Sequence, residues 1–264
     1  MNNFDYIVMG GSGLVGSSFV ENLINKGAKV LSLNSANFEK YCNMNITTNC
    51  FINANGNSYR FKANQDPFWD FDKSVYSLLK SLRFFKSKKY IFFSSIDVYH
   101  DKSNPNNNCE SSSIKIDELD FYGTNKYLAE SILRKYHSEY LILRLGSVVS
   151  PLSKKGPFYD LSQGKLFINP NSFLSVIDIE NIHKAFFKLE TSSASKEIYN
   201  LTGSGNVSVD EIIAKYSIKF NSATNLNNLK SFSYNVSNKK ISKLVNIETS
   251  PEIADSFFNP IYNS

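Results

Sequence analysis

The stretch Tyr6-Ile7-Val8-Met9-Gly10-Gly11-Ser12-Gly13-Leu14-Val15-Gly16 decides how the rest of this chain is read. Tyr6 to Met9 form a short apolar run, the pattern of a buried strand. The run opens directly into glycines at 10, 13 and 16, spaced G-x-x-G-x-x-G. Beyond them Phe19, Val20, Leu23 and Ile24 recur at helical spacing, and Gly27 is placed to end that helix. Strand, glycine turn and helix is the context in which such a motif binds a dinucleotide. Glycines let the backbone turn tightly and approach a pyrophosphate. The helix N-terminus adds amide donors and the positive end of its dipole. Gly10, Gly13, Leu14, Val15 and Gly16 are therefore candidate cofactor-binding residues.

Working outward, Val30-Leu31-Ser32-Leu33 reads as the second strand. An acidic residue at its end binds the adenosine ribose of NAD and repels a 2′-phosphate. Asn34 and Ser35 stand there instead, and Ser35 with Lys40 suits the 2′-phosphate of NADP, which tilts the expectation towards NADP over NAD. Tyr41 to Ile46 reads as a third strand and Phe51 to Ala54 as a fourth, with too few residues between them for a crossover helix. Asp66-Pro67 breaks the chain. The helix after it carries Val75, Leu78, Leu79, Leu82 and Phe85 on one stripe.

Tyr90-Ile91-Phe92-Phe93 is the clearest buried strand, and it ends in Ser94-Ser95-Ile96-Asp97-Val98-Tyr99. Ligands of open parallel sheets bind beyond the carboxyl ends of strands, which puts Ser94 and Ser95 at the right edge. A polar loop leads to Phe121-Tyr122-Gly123-Thr124-Asn125-Lys126, and a helix runs on through Leu128, Ala129, Ile132 and Leu133. On that helix Tyr122 and Lys126 lie one turn apart on one face. A fixed ammonium beside a phenol favours the phenolate and lowers a pKa of about 10. Spacing alone does not single this pair out, since Tyr76 and Lys80 share it. Position does: Tyr122 follows the strand ending at Ser95, whereas Tyr76 precedes it on a packing helix.

Tyr140 to Leu145 is a further strand, and Gly146 to Phe173 turns rich in Ser, Pro, Gly and Lys. Leu174 to Asp178 returns to an apolar run and leads into a helix to about Leu189, and Glu197 to Leu201 is a strand. A short helix from Val209 to Tyr216 precedes a polar C-terminal region. The fold class is α/β, a Rossmann-like doubly wound parallel sheet with a small C-terminal substrate-binding lobe. The expected division is 1–146 for the dinucleotide-binding domain, with 174–205 returning to it, and 147–173 with 206–264 for the lobe.

The chain has 264 residues, 42% of them hydrophobic, enough for one large core and a lobe. Its net charge of +5 is spread without a basic run, so nucleic acid is not an expected partner. Cys42, Cys50 and Cys109 form an odd, irregular set, and His100, His137 and His183 match no metal spacing. No apolar run approaches a membrane span, and Met1 to Tyr6 lacks a basic n-region. A reducing, cytoplasmic setting is expected.

These pieces, in this order, resemble the extended short-chain dehydrogenase/reductase family, the NAD-dependent epimerases and dehydratases that modify sugar nucleotides. The likeness includes Gly10 to Gly16, Phe51 to Gly56, Asp66-Pro67, Ser94-Ser95-x-x-Val98-Tyr99 and Tyr122-x-x-x-Lys126. Arg144-Leu145-Gly146, Phe173 to Asp178, Ile198 to Leu201 and Ser237 to Pro251 continue it. The resemblance implies hydride transfer between a nicotinamide and a hydroxyl or keto carbon of a nucleotide-activated sugar. Ser95 would bond the reacting oxygen, Tyr122 would move its proton, and Lys126 would hold the nicotinamide ribose and depress the Tyr122 pKa. Asn53 and Ala54 would line the dinucleotide together with the glycine turn, Asn34 and Ser35. A homodimer through the Tyr122 helix is also implied.

Departures from the family narrow the chemistry. Where dehydratases carry Thr-Asp-Glu, this chain has Ser95-Ile96-Asp97, and Ile96 cannot donate a proton. Reductases that also epimerise use a Cys where Asp97 stands. The expected activity is 4-keto reduction, with C4 epimerisation as the alternative and a non-catalytic dinucleotide-sensing module as a second one.

Overall fold

A computed structural model describes residues 3–57, 59–220 and 228–262. The chain divides into two compact units, the first formed by Met1–His100, Ser113–Arg144 and Ser192–Tyr199, the second by Asp101–Ser112, Leu145–Thr191 and Asn200–Ser264. In order, the elements begin with β1 (Asn3–Met9), α1 (Leu14–Asn25), β2 (Val30–Leu33), α2 (Phe38–Cys42) and β3 (Thr47–Asn53). Next come α3 (Arg60–Gln65), α4 (Pro67–Phe71), a π-helical turn (Asp72–Tyr76), α5 (Ser77–Phe84), β4 (Lys86–Ser95), α6 (Phe121–Tyr136) and β5 (Tyr140–Leu145). The chain continues through β6 (Ser147–Val149), α7 (Pro157–Ser162), β7 (Phe173–Leu174), β8 (Val176–Asp178), α8 (Ile179–Glu190) and β9 (Glu197–Leu201). It closes with β10 (Val207–Ser208), α9 (Val209–Lys215), α10 (Lys239–Ser242) and α11 (Ser250–Tyr262).

The central parallel sheet has the order β2-β1-β3-β4-β5-β9, the Rossmann-like arrangement expected from the sequence. β1 pairs in parallel with β2 on one side and β3 on the other, so the winding reverses between β1 and β3. Register brings the carboxyl ends level: Met9 lies opposite Leu33 and Asn53, and Asn53 opposite Phe92. A winding reversal of this kind opens the crevice in which such sheets bind ligands. The strands are buried enough to explain their unbroken apolar runs; Ile7, Val8, Phe51, Ile52 and Ile91 are fully buried.

Three sequence expectations are corrected. Tyr41 to Ile46 is not a strand: Phe38–Cys42 forms a short helix that buries Phe38 and Cys42 four residues apart and exposes Glu39 and Lys40. That spacing is helical, and the strand starts only at Thr47. The stripe after Pro67 holds at Val75, Leu78 and Phe85, which are buried, and at Leu82, which packs on the core, but Leu79 stays 40% exposed, and the segment is a π-helical turn (Asp72–Tyr76) followed by α5 instead of one regular helix. Finally, the polar C-terminal region contains α11, whose Ile253, Ala254, Phe257 and Phe258 are buried at helical intervals. Phe158 of α7 packs on both Phe257 and Phe258, with ring centroids 5.7 Å and 5.1 Å apart. Intervening Ser, Asp and Asn hide this stripe in composition.

Candidate active site

The glycine turn at the end of β1 is shaped by close approach. Gly10 has φ +83°, in the left-handed region, and a Cβ there would lie 2.7 Å from the Ala54 carbonyl carbon at the end of β3. A Cβ on Gly16 would lie 2.1 Å from the Gly10 carbonyl oxygen, so only glycine lets α1 start this close to the turn. Gly13 caps α1 without a side-chain hydrogen bond, and the first turn holds no acidic residue. The leading amides of Leu14, Val15 and Gly16 thus meet no capping side chain and no carboxylate of that turn. This cradle fits a dinucleotide pyrophosphate.

Beyond β2, the loop is tied by its own side chains. Asn34 N–H donates to Asn37 Oδ1 (2.8 Å), and Ala36 N–H donates to Asn34 Oδ1 (2.9 Å). Ser35 and Lys40 are exposed there. Asn53 is placed at the right edge, but its side chain is engaged locally: Nδ2 donates to the Tyr90 hydroxyl (2.8 Å), and Oδ1 accepts from Asn55 N–H (3.0 Å). Asn53 and Ala54 therefore border the crevice mainly through backbone.

Asp120 fixes the start of α6 by accepting a hydrogen bond from Gly123 N–H (2.9 Å). Tyr122 thereby falls in the first turn and Lys126 one turn on, its Nζ 5.9 Å from the Tyr122 ring centroid. Lys126 is buried and donates to the Phe93 carbonyl (3.4 Å). A Cβ on Gly56, which has φ +131°, would come within 3.2 Å of Lys126 Nζ, so this glycine leaves the ammonium room. Burial lowers the Lys126 pKa to about 8, against the opposing pull of Asp70, Glu130 and Asp97. The Tyr122 phenol is raised, first by burial and then by Asp97, while Arg60 and a hydrogen bond with Ser95 pull the other way. Lys126 was expected to depress this phenol; the net direction in the structure is upward, set first by burial and then by Asp97.

Ser95, Tyr122 and Lys126 are thus brought together at the end of β4 and the start of α6. The competing copy is as close, with Lys80 Nζ 5.6 Å from the Tyr76 ring centroid, but it lies at the surface: Tyr76 is 48% exposed, and Lys80 is ion-paired with Glu39, which raises its pKa.

Several residues of this site escaped sequence reasoning. Asp97 accepts from Ser95 Oγ (3.2 Å) and from Arg60 Nε (3.1 Å), with which it forms an ion pair. Asp70, fully buried, accepts from Asn125 Nδ2 (2.7 Å). Below the site Glu130 accepts from Ser94 Oγ (2.6 Å) and from Arg144 Nη2 (2.7 Å), and Arg144 Nη1 donates to the Tyr99 hydroxyl (2.8 Å). Burial works against the Arg144 charge, but Glu130 outweighs it and keeps the guanidinium firmly protonated. Glu130 follows Lys126 by one helical turn, a signal the sequence did offer. Nothing in the spacing links Arg60 to Asp97.

Among the described residues no cluster of His, Cys, Asp or Glu could hold a metal, and no helix is long and apolar enough to cross a membrane. None of the three cysteines is in a disulfide.

The parallel sheet with its winding reversal and the glycine turn leading into α1 define a Rossmann-like class of fold. The sequence matches the NAD dependent epimerase/dehydratase family over residues 6–169, and the chain belongs to that family. Among curated proteins none matches this sequence. Solved structures give the same fold. UDP-glucuronic acid 4-epimerase from Bacillus cereus, in complex with UDP-glucuronic acid and NAD, superposes with a TM-score of 0.76 at 16% identity, covering 98% of this chain and 99% of that one. UDP-glucose 4-epimerase from Thermotoga maritima, with UDP-glucose, gives 0.69 at 16% identity, covering 98% and 97%. RMD from Pseudomonas aeruginosa, complexed with NADPH, gives 0.74 at 14% identity, covering 98% and 99%. At these identities the likeness speaks for the fold.

Proposed function

We propose that this chain is an NAD(P)-dependent oxidoreductase acting on a nucleotide-activated sugar, and that it reduces a keto carbon, most simply C4. The observation that supports the reading is the grouping of Ser95, Tyr122 and Lys126 at the end of β4 and the start of α6, with the Lys126 ammonium against Gly56 and the Tyr122 phenol raised by burial and Asp97. A bound nicotinamide supplies the hydride. Tyr122 gives its proton to the keto oxygen, and Ser95 orients that oxygen. Lys126 holds the cofactor ribose and supplies positive charge as Tyr122 loses its proton. General acid help of this kind is worth about 10²–10⁴-fold in rate. The exposed Ser35 and Lys40, with no acid at Asn34, favour NADP as the working cofactor.

The C4 epimerase is the second reading, supported by the UDP-sugar 4-epimerases that share the fold. It requires a tightly held NAD and no net redox change. Incubation with NADPH and 4-keto deoxysugar nucleotides separates the two: reduction consumes NADPH, whereas an epimerase purifies with bound dinucleotide and interconverts UDP-sugars. Tyr122→Phe abolishes either turnover and leaves dinucleotide binding intact; full activity in that variant sinks both readings. Dinucleotide binding without turnover on any sugar nucleotide points instead to a sensing module.

A further inference from the structure

Three donors meet on one oxygen of Asp97, and one of them is Ser95. Ser95 Oγ lies 3.2 Å from Asp97 Oδ2 and accepts from Asp97 N–H (3.1 Å). Asp97 is ion-paired with Arg60, and an ionised carboxylate only accepts, so the proton between Oγ and Oδ2 is the serine's. Arg60, from α3, directs Nε (3.1 Å) and Nη2 at the same Oδ2. Ser95 is 8% exposed and Asp97 5%, so water is largely kept from these contacts. The 3₁₀ turn Ile96–Val98 that carries Asp97 is also fixed against α6: a Cβ on Gly123 would lie 2.3 Å from the Asp97 carbonyl oxygen. A hydroxyl has one proton and two lone pairs. Ser95 commits its proton and one lone pair to Asp97, which leaves one lone pair for a further donor, the Tyr122 phenol or a substrate hydroxyl. In this state it has no proton for a keto oxygen, which accepts only.

We propose that Asp97 and Arg60 switch Ser95 between acceptor and donor as the reacting oxygen passes between hydroxyl and keto forms. The inference rests on the reading that Ser95 bonds that oxygen. Against a keto oxygen the Ser95 proton turns away from Oδ2 and onto the substrate. Arg60 keeps two N–H groups on Oδ2, so the turn does not strand a buried carboxylate. When the oxygen carries a proton it donates to Ser95, and the Ser95 proton returns to Asp97. Both residues act through Ser95 and are positioning residues. Their removal has opposed consequences. Asp97→Asn exchanges a charged acceptor for a weaker neutral one and frees the Ser95 proton for the keto form. Arg60→Met takes away the two donors that cover Oδ2 after the turn, which makes the turn costly. A merely structural role would weaken binding of both forms alike.

The test measures equilibrium binding by calorimetry in the full chain carrying Tyr122→Phe, which prevents turnover, saturated with oxidised dinucleotide. The two probes are a 4-keto deoxysugar nucleotide and the same compound with a 4-hydroxyl. The expected result is a keto-to-hydroxyl affinity ratio raised about tenfold by Asp97→Asn and lowered by Arg60→Met. With Ser95→Ala in the same chain, Asp97→Asn leaves the ratio unchanged. An unmoved ratio in Asp97→Asn, shifts of the same sign in the two variants, or a shift that survives Ser95→Ala overturns the proposal. If Arg60→Met does not fold, Asp97→Asn with and without Ser95→Ala decides. Binding of neither probe defeats the sugar-nucleotide reading and this inference with it. Binding of both with an unmoved ratio defeats this inference alone.

Discussion

Replacing Glu130 by alanine tests the buried network beneath the site. Glu130 is fully buried and Arg144 is 2% exposed. The Glu130 carboxylate accepts from Ser94 Oγ (2.6 Å), Arg144 Nε (3.0 Å) and Arg144 Nη2 (2.7 Å). Its removal leaves a guanidinium in the core with the Tyr99 hydroxyl, at 2.8 Å, as its remaining acceptor. Breaking a buried pair by deleting one partner costs about 3–5 kcal/mol, because the surviving charge has lost its solvation and its counter-ion together. Against a total stability of about 5–15 kcal/mol this is a large fraction. At roughly 2–4 °C per kcal/mol for a chain of this size, the melting temperature falls by about 6–20 °C. Circular dichroism during heating and in urea measures it. The double variant Glu130→Ala/Arg144→Met removes the stranded charge and recovers most of the loss. If Glu130→Ala unfolds within about 0.5 kcal/mol of the unsubstituted protein, as an exposed ion pair would allow, the reasoning fails.

Gly16→Ala places a Cβ 2.1 Å from the Gly10 carbonyl oxygen, so α1 must shift away from the turn. Dinucleotide affinity, followed by quenching of protein fluorescence or by calorimetry, should fall at least tenfold, or about 1.4 kcal/mol. Because the folded-state pKa of Lys126 is lowered to about 8, its charge is present below that pH and lost above it. The kcat/KM for keto reduction should therefore decline as pH rises through about 8, and Lys126→Met should remove that limb along with most of the activity. Tyr76→Phe and Lys80→Met, at the surface copy of the same spacing, should leave kcat/KM unchanged within twofold in a steady-state assay.

Much of the first unit was legible because its signals are local. β1, the glycine turn and α1 are consecutive in sequence, and buried parallel strands announce themselves as apolar runs. The failures were where local pattern and packing part company. Phe38 and Cys42 lie four apart beside charged residues, and a helix of five residues is too short for periodicity to reveal. The π-helical turn Asp72–Tyr76 adds a residue to one helical turn, and no template with a 3.6 period anticipates that. In α11 the buried Phe257 and Phe258 sit among polar neighbours, so the average composition of the segment concealed its apolar face.

The same distinction holds inside the site. Tyr122 and Lys126 can be read from sequence because a single helix fixes their relation. What governs their chemistry is assembled across the fold: Arg60 and Asp97 are 37 residues apart, Ser94 and Glu130 36, Tyr99 and Arg144 45. Ser94 is held by Glu130 and Tyr99 by Arg144, so one buried ion pair grips both ends of the turn that carries Ser95 and Asp97. Asp97 then faces Tyr122, while Glu130 opposes the fall in the Lys126 pKa from one turn further along α6. Residue types alone predict a phenolate eased by a nearby lysine. The folded surroundings reverse the expectation, because desolvation disfavours both the phenolate and the ammonium, and carboxylates surround the pair. Burial and Asp97 thus move the Tyr122 phenol upward, the direction that the proposed delivery of a proton to a keto oxygen requires.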